Sequence, residues 1–278
     1  MAVLTVDEAI PRLKEAITSR RLIPFLGAGF SMALQLPSWR ELTGWMAQRL
    51  GFEPALFERH GTNPQLAEFF AISGANNWSE LVYEMTRRFD SPDACERRTK
   101  SRQHKALAAL PWRTIYTTNY DTHVEGALAD AGRPCAALAS IDDFLHTSGD
   151  GCEVIKFHGT LSQPSTIVLS ESHYFERGEL GAAVDQRLRA DLLTNSFLFI
   201  GYGFADSNIR SVWYRMQRLR EQHQEGRSGM GSMRRSLFAT FGADPVQPAL
   251  LDRWSIDVVP LDPSDKSKSV AELLEALA

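Results

Sequence analysis

Short apolar runs alternate with amphipathic stretches along most of this chain. Leu22–Leu26 is a five-residue apolar run closed by Gly27, the pattern of a buried strand. Runs of the same kind recur at Thr114–Thr117, Glu153–Phe157, Thr166–Leu169, Phe197–Ile200, Ser236–Phe241 and Ile256–Pro260. Helical periodicity fills many of the intervals. At the start, Thr5–Arg20 carries an apolar stripe of Ile10, Leu13 and Ile17, and Thr5 with Glu8 has capping-box spacing. Strands that alternate with helices predict an α/β fold with a largely parallel sheet and helices on both faces. Ligands of such sheets bind beyond the carboxyl ends of the strands, so the loops that follow the strands are where chemistry is expected.

Two regions break the alternation. Between residues 37 and 110 no run reads as a strand. Leu42–Leu50, Gln65–Ile72, Trp78–Phe89 and Arg102–Leu110 all have helical spacing, which predicts a helical insertion beside the sheet. Glu221–Met233 is rich in Gly, Ser and Arg and reads as a loop.

Composition narrows the class. The chain has 278 residues, 44% of them hydrophobic and 23% charged, with a net charge of −4. That charge disfavours a broadly basic nucleic-acid binder, and direct nucleic-acid binding stays open only for a local patch. No apolar run approaches the roughly 20 residues of a membrane span. Asp7, Glu8 and Pro11 stand where a signal peptide would be apolar, so a cytoplasmic location is expected. The three cysteines, Cys95, Cys135 and Cys152, are too scattered for a disulfide framework and too few for a four-cysteine zinc site.

Four strand-end loops carry candidate chemistry. Gly27-Ala28-Gly29-Phe30-Ser31 follows the first strand, and two glycines there let backbone approach a phosphate closely. It is not the dehydrogenase fingerprint, because Met32 takes the third glycine position and Glu41 comes too early to read a ribose. A merely structural turn is the alternative. Thr117-Thr118-Asn119-Tyr120-Asp121 places an amide and a carboxylate where sugar hydroxyls would meet them, or where both would simply cap the next helix. Lys156-Phe157-His158-Gly159 offers a proton acceptor, or a histidine satisfied in the core. Gly201-Tyr202-Gly203-Phe204-Ala205-Asp206-Ser207-Asn208 is a tight turn that covers a ligand or only joins strand to helix.

Together and in this order, the loops resemble those of the sirtuin-like, NAD-using family. Its G-A-G-x-S stands at Gly27–Ser31, its T-x-N-x-D at Thr117–Asp121, its K-x-H-G at Lys156–Gly159 and its G-Y-x-x-x-D-x-N at Gly201–Asn208. The resemblance implies a Rossmann-like fold, with residues 1–278 as one NAD-binding domain and 37–110 as an insertion within it. It implies that Gly27, Ala28, Gly29, Phe30 and Ser31 hold the pyrophosphate of NAD+, with Thr118 beside them. Asn119, Asp121 and His158 take the catalytic roles at the nicotinamide ribose, and Gly201, Asp206 and Asn208 line the adenosine side.

The chain departs from the family's protein deacylases at one point. Those usually carry a four-cysteine zinc ribbon after the H-G motif, whereas here no cysteine follows Cys152. Absence of the ribbon removes the usual acyl-lysine groove and makes water the expected acceptor. The resemblance then implies an NAD+ hydrolase of the bacterial anti-phage type, with NAD+ as substrate, no zinc and no membrane. ADP-ribosyl transfer, deacylation, and NAD or ADP-ribose binding without turnover are the alternatives. Control is expected through homo-oligomer assembly or a partner ATPase of the HerA type. The basic stretch Glu96–Lys105 reads as a solvated helix face.

Overall fold

A computed structural model describes residues 3–178, 181–204, 207–224, 235–242 and 246–278. Seven strands form one sheet: β1 (Leu22–Leu26), β2 (Thr114–Thr117), β3 (Cys135–Leu138), β4 (Cys152–Lys156), β5 (Ser196–Ile200), β6 (Ser236–Thr240) and β7 (Ile256–Pro260). Their spatial order is β3-β4-β2-β1-β5-β6-β7, and every pairing is parallel. The chain first builds outward from β1 on the β2 side, then crosses to β5 on the other. That reversal at β1 opens a crevice at the carboxyl ends of β1, β2 and β5.

Strand alternation sorts the core into two layers. Leu26, Ile115, Val154, Leu198 and Ile200 face one side, under the helices Val6–Thr18, Arg102–Ala109, His123–Asp130 and Lys266–Glu275. Phe25, Tyr116, Ile155, Phe197 and Phe199 face the other, under Ala183–Thr194 and Ser207–Gln224. Burial on both faces explains why the central strands read as continuous apolar runs. Helices therefore cover both faces of the sheet, as the alternation predicts. The first helix starts as its sequence requires: Thr5 and Glu8 form a reciprocal capping box.

Four helices between β1 and β2, Trp39–Leu50, Pro54–Phe57, Asn63–Ile72 and Asn77–Phe89, enclose a third core of Leu42, Met46, Phe57, Leu66, Phe70, Leu81 and Met85. This core corrects one strand expectation. Thr166–Leu169 is not a strand: Pro164–Thr166 forms a 3-10 turn, and Ile167 and Leu169 point into the helical core. The backbone there bonds to the loops of the site instead of a sheet neighbour, Val168 N–H donating to the His158 carbonyl at 2.9 Å. A four-residue apolar run has no period long enough to tell these cases apart.

The edge strand β3 was not legible, because half-buried Cys-Ala-Ala-Leu has neither alternation nor β-branching. The loop expected at Glu221–Met233 is helical as far as Gln224, and residues 225–233 lie outside the described residues.

The basic stretch is not one solvated face. It spans two helices, Pro92–Lys100 and Arg102–Ala109. Arg97 Nε donates to the Leu34 carbonyl at 2.6 Å, Arg98 pairs with Asp130 at 3.0 Å and Arg102 with Glu275 at 2.5 Å. These charges tie elements together. Among the described residues no helix is long and apolar enough to cross a membrane.

Candidate active site

The Gly-rich loop leaves β1 and is clamped by the loop after β5. Gly27 N–H donates to the Ile200 carbonyl at 3.0 Å and Gly29 N–H to the Gly201 carbonyl at 2.9 Å. The two backbones touch: a Cβ on Gly29 would lie 2.8 Å from Gly201 Cα, and one on Gly27 would lie 2.5 Å from Gly201 O. Gly201 itself has φ +63° and faces Phe30 N. These glycines are demanded first by each other.

Asn119, at the end of β2, fastens this pair of loops to the next. Its Nδ2 donates to the Gly27 carbonyl at 3.0 Å and to Ser31 Oγ at 2.8 Å. Both amide protons are thereby committed, and the Gly27 carbonyl fixes which end of the amide is nitrogen. Asn119 Oδ1, as an amide oxygen, can only accept, and a ligand hydroxyl is a donor suited to it. Ser31 Oγ, accepting from Asn119, keeps its own proton to donate. Asp121 is turned to its own chain: Oδ1 accepts from His123 N–H at 3.1 Å, an Asx-type turn.

His158 enters from the end of β4. It is buried, and Tyr174 stands edge-on to it with ring centroids 5.5 Å apart. Gly159 turns the chain away at φ +82°, where a Cβ would collide with the Thr166 carbonyl at 2.1 Å.

These loops surround a cavity of about 370 Å³, within the roughly 300–1,000 Å³ of small-molecule sites. Ala28, Ser31, Thr118, Asn119, Asp121, His158 and Gly201 all line it. Gly27 does not. Phe30 is buried beneath the loop, its ring 4.7 Å from that of His104 and its carbonyl accepting from Gln103 Nε2 at 2.6 Å. Asn208 stands one layer back and donates to the Tyr174 carbonyl at 3.3 Å. Asp206 lies outside the described residues.

Trp39, Met85 and Phe89, from the helices between β1 and β2, and Tyr174 also line the wall. No strand-end motif marks them: Met85 and Phe89 fall in the predicted helix Trp78–Phe89, and Trp39 and Tyr174 in no predicted element. A second cavity of about 460 Å³ shares Met32, Gly201, Tyr202 and Gly203 with the first and extends past Gly29 to Phe238–Phe241, Lys266 and Ser267. The cleft is thus bipartite, with the Gly-rich loop between its halves.

Behind the loops lies a buried polar layer. Lys156, fully buried, donates from Nζ to the Asp121 carbonyl at 2.5 Å and pairs with Glu125 at 3.1 Å. His104 Nδ1 meets Ser101 Oγ at 2.8 Å, while its Nε2 has no hydrogen-bond partner among the described residues. Burial pushes the His104 imidazole down to about 4, against the opposing pull of the Asp121 charge, so the ring is neutral at pH 7. Among the described residues no three His, Cys, Asp or Glu side chains converge as metal ligands. Burial also raises the Cys152 thiol to about 12, which keeps it protonated.

A seven-stranded parallel sheet with a cleft at its switch point defines a Rossmann-like α/β protein. The chain belongs to the SIR2-like domain family, whose profile matches residues 113–259. It is similar to the NAD(+) hydrolase ThsA of Cytobacillus dafuensis, 31% identical over 206 residues that cover 73% of this chain and 39% of that protein. The protein of the same name from Bacillus cereus (strain MSX-D12) is 27% identical over 205 residues, 72% of this chain and 40% of that one. Defense-associated sirtuin 2 of Bacillus subtilis is 24% identical over 219 residues, 76% of this chain and 21% of that protein. The chain therefore spans about two fifths of the length of the hydrolases it matches.

Proposed function

We propose that this protein is an NAD+ hydrolase that cleaves the bond between nicotinamide and ribose, and that it serves as an anti-phage effector by depleting NAD+. The observation that carries the reading is the meeting of Asn119, Ser31 and His158 around one cavity beside the Gly-rich loop. Similarity to proteins named NAD(+) hydrolase supports it.

The chemistry follows from the groups present. Nicotinamide in NAD+ is a cationic leaving group, and loss of it leaves an oxocarbenium-like ribose. The C1′–N bond breaks with its electron pair going to the nicotinamide nitrogen. A water oxygen bonds to C1′ and its proton passes to His158 and then to solvent, giving nicotinamide, ADP-ribose and H+. Asn119 Oδ1 accepts from a ribose hydroxyl or from that water, which positions the reactants. Ser31 donates toward the phosphates. Residues 1–278 act in this reading as one domain, with 37–110 as its insertion. It places the protein in the cytoplasm, assembled as a homo-oligomer or with a partner ATPase of the HerA type.

Nicotinamide release from NAD+ by the purified chain tests this directly. Asn119→Ala and His158→Ala are each expected to lose about a hundredfold or more, the usual range for a positioned acid or base. Free ADP-ribose distinguishes hydrolysis from transfer to protein. Full activity in both variants would sink the assignment, and saturable binding without product would indicate a sensor.

A further inference from the structure

The hydrolase reading above requires the His158 imidazole to stand at one place beside the reacting ribose, and the inference that follows rests on that reading. A histidine side chain turns about two bonds, so its ring is set by the backbone that carries it and by the groups packed against it. One short helix, Glu171–Gly178, acts on both. Its Tyr174 stands edge-on to the His158 ring. Three residues on, Arg177 Nη1 donates to the Phe157 carbonyl at 2.7 Å. That carbonyl belongs to the peptide joining Phe157 to His158. On the other side, Val168 N–H donates to the His158 carbonyl. His158 is therefore pinned at both of its peptide groups.

Arg177 is itself held. Its fork meets Asp185 in a bidentate pair, Nη2 at 2.6 Å and Nε at 3.2 Å, and its guanidinium carbon lies 4.7 Å from the centre of the Phe157 ring. The Asp185 side chain is wholly buried and that of Arg177 is 14% exposed. A carboxylate this deep is stable only with its cation in place, so the pair persists. Asp185 also accepts from Ala182 N–H at 3.2 Å, which anchors it at the start of the helix Ala183–Thr194. Two donors aimed at a carboxylate and a third at a carbonyl need the planar fork of arginine. The start of the short helix is fastened to the inserted helices, Ser172 N–H and Oγ donating to Glu68 at 3.1 and 2.7 Å. Arg177 does not line the first cavity, so any effect it has on the reaction runs through His158.

We propose that Arg177 is a positioning residue for His158: braced on Asp185, it fixes the Phe157–His158 peptide and with it the direction of the imidazole toward the reacting ribose.

The experiment uses the full 278-residue chain and two variants. Arg177→Lys keeps a cation for Asp185 but carries its donors on one nitrogen, which does not span Asp185 and the Phe157 carbonyl as the fork does. Arg177→Met with Asp185→Asn removes the brace without stranding a buried carboxylate, so it decides the matter if the single variant fails to fold. In each, kcat for nicotinamide release from NAD+ is expected to fall about tenfold or more, the scale of a slightly misplaced reacting group. KM for NAD+ and Kd for ADP-ribose are expected to stay within about twofold, because the Gly-rich loop is untouched. A second arm needs no turnover. Deuterium exchange at the histidine C2 position, read by mass spectrometry, is expected to be several-fold faster at His158 in both variants and unchanged at the exposed His60.

A kcat within about twofold of the unaltered chain in both variants overturns the proposal. So does loss of ADP-ribose binding in step with kcat, the mark of general damage to the fold. Absence of turnover by the unaltered chain refutes the hydrolase reading instead, and the exchange arm still decides the brace: an unchanged His158 rate in both variants overturns the proposal.

Discussion

Lys156→Met removes a buried cation that touches the backbone of the Asn119 loop while keeping most of the buried volume. Lys156 is wholly enclosed, and its Nζ lies 3.1 Å from Glu125 and 2.5 Å from the Asp121 carbonyl. At that separation and an effective dielectric constant of about 20, the attraction to Glu125 is ~5 kcal/mol before desolvation is counted. Methionine recovers the cost of burying the ammonium but strands Glu125, whose side chain is 16% exposed and whose Oε2 already lacks a hydrogen-bond partner among the described residues. Breaking one side of such a pair costs about 3–5 kcal/mol when the remaining charge stays dry. Partial access of water to Glu125 brings the expected loss to the lower end, about 3 kcal/mol.

Urea denaturation followed by circular dichroism measures this loss, and a cycle with Glu125→Gln measures the coupling. Glu125→Gln in the Lys156→Met background should recover about 2 kcal/mol, since it removes the stranded charge. A single-variant loss under about 1 kcal/mol, or strict additivity of the two changes, would show that Lys156 does not hold the loop as argued.

Two further outcomes follow from the buried layer and the loop contact. Gly29→Ala forces a Cβ to 2.8 Å from Gly201 Cα and should cost about 1–3 kcal/mol by overpacking. Gly203→Ala meets nothing within 4 Å and should be near neutral; equal melting temperatures for the two variants would refute the close approach. His104, held neutral with its imidazole lowered to about 4, takes up its proton more readily in the unfolded chain. Its contribution is therefore whole above the unfolded value of about 6.5 and is lost as pH falls toward 4, a drop of roughly 2–3 kcal/mol by pH 4.5. Stability measured from pH 7 to 4.5 should fall less steeply by that amount in His104→Gln, and parallel curves would exclude His104 as the cause.

The sheet was largely legible because its central strands are buried on both faces. Thr114–Thr117 and Ile256–Pro260 have in the structure the bounds their apolar runs predict. Where burial is one-sided or the run is short, the pattern loses its meaning. Cys135–Leu138 is a strand without a signal, and Thr166–Leu169 is a signal without a strand. The strand-end rule found the loops at Gly27, Asn119, His158 and Gly201, and all four reach the first cavity or the loop beneath it. It did not find Trp39 or Tyr174, since an aromatic side chain looks the same in sequence whether or not a cavity lies beside it.

By itself, then, the sequence determined the parallel sheet, the helices on its faces and the four strand-end loops that meet at the cleft, because periodicity and turn residues are local properties of the chain. Only the tertiary structure decided what each loop residue faces. It set Phe30 beneath the loop, turned Asp121 and Asn208 toward backbone partners, and committed the Asn119 amide protons to Gly27 and Ser31. It also joined Gly29, Lys266 and Phe241, far apart in the chain, around a second cavity. Those outcomes depend on crossings between distant strands, and no local pattern encodes the distance between two segments that the fold alone brings into contact.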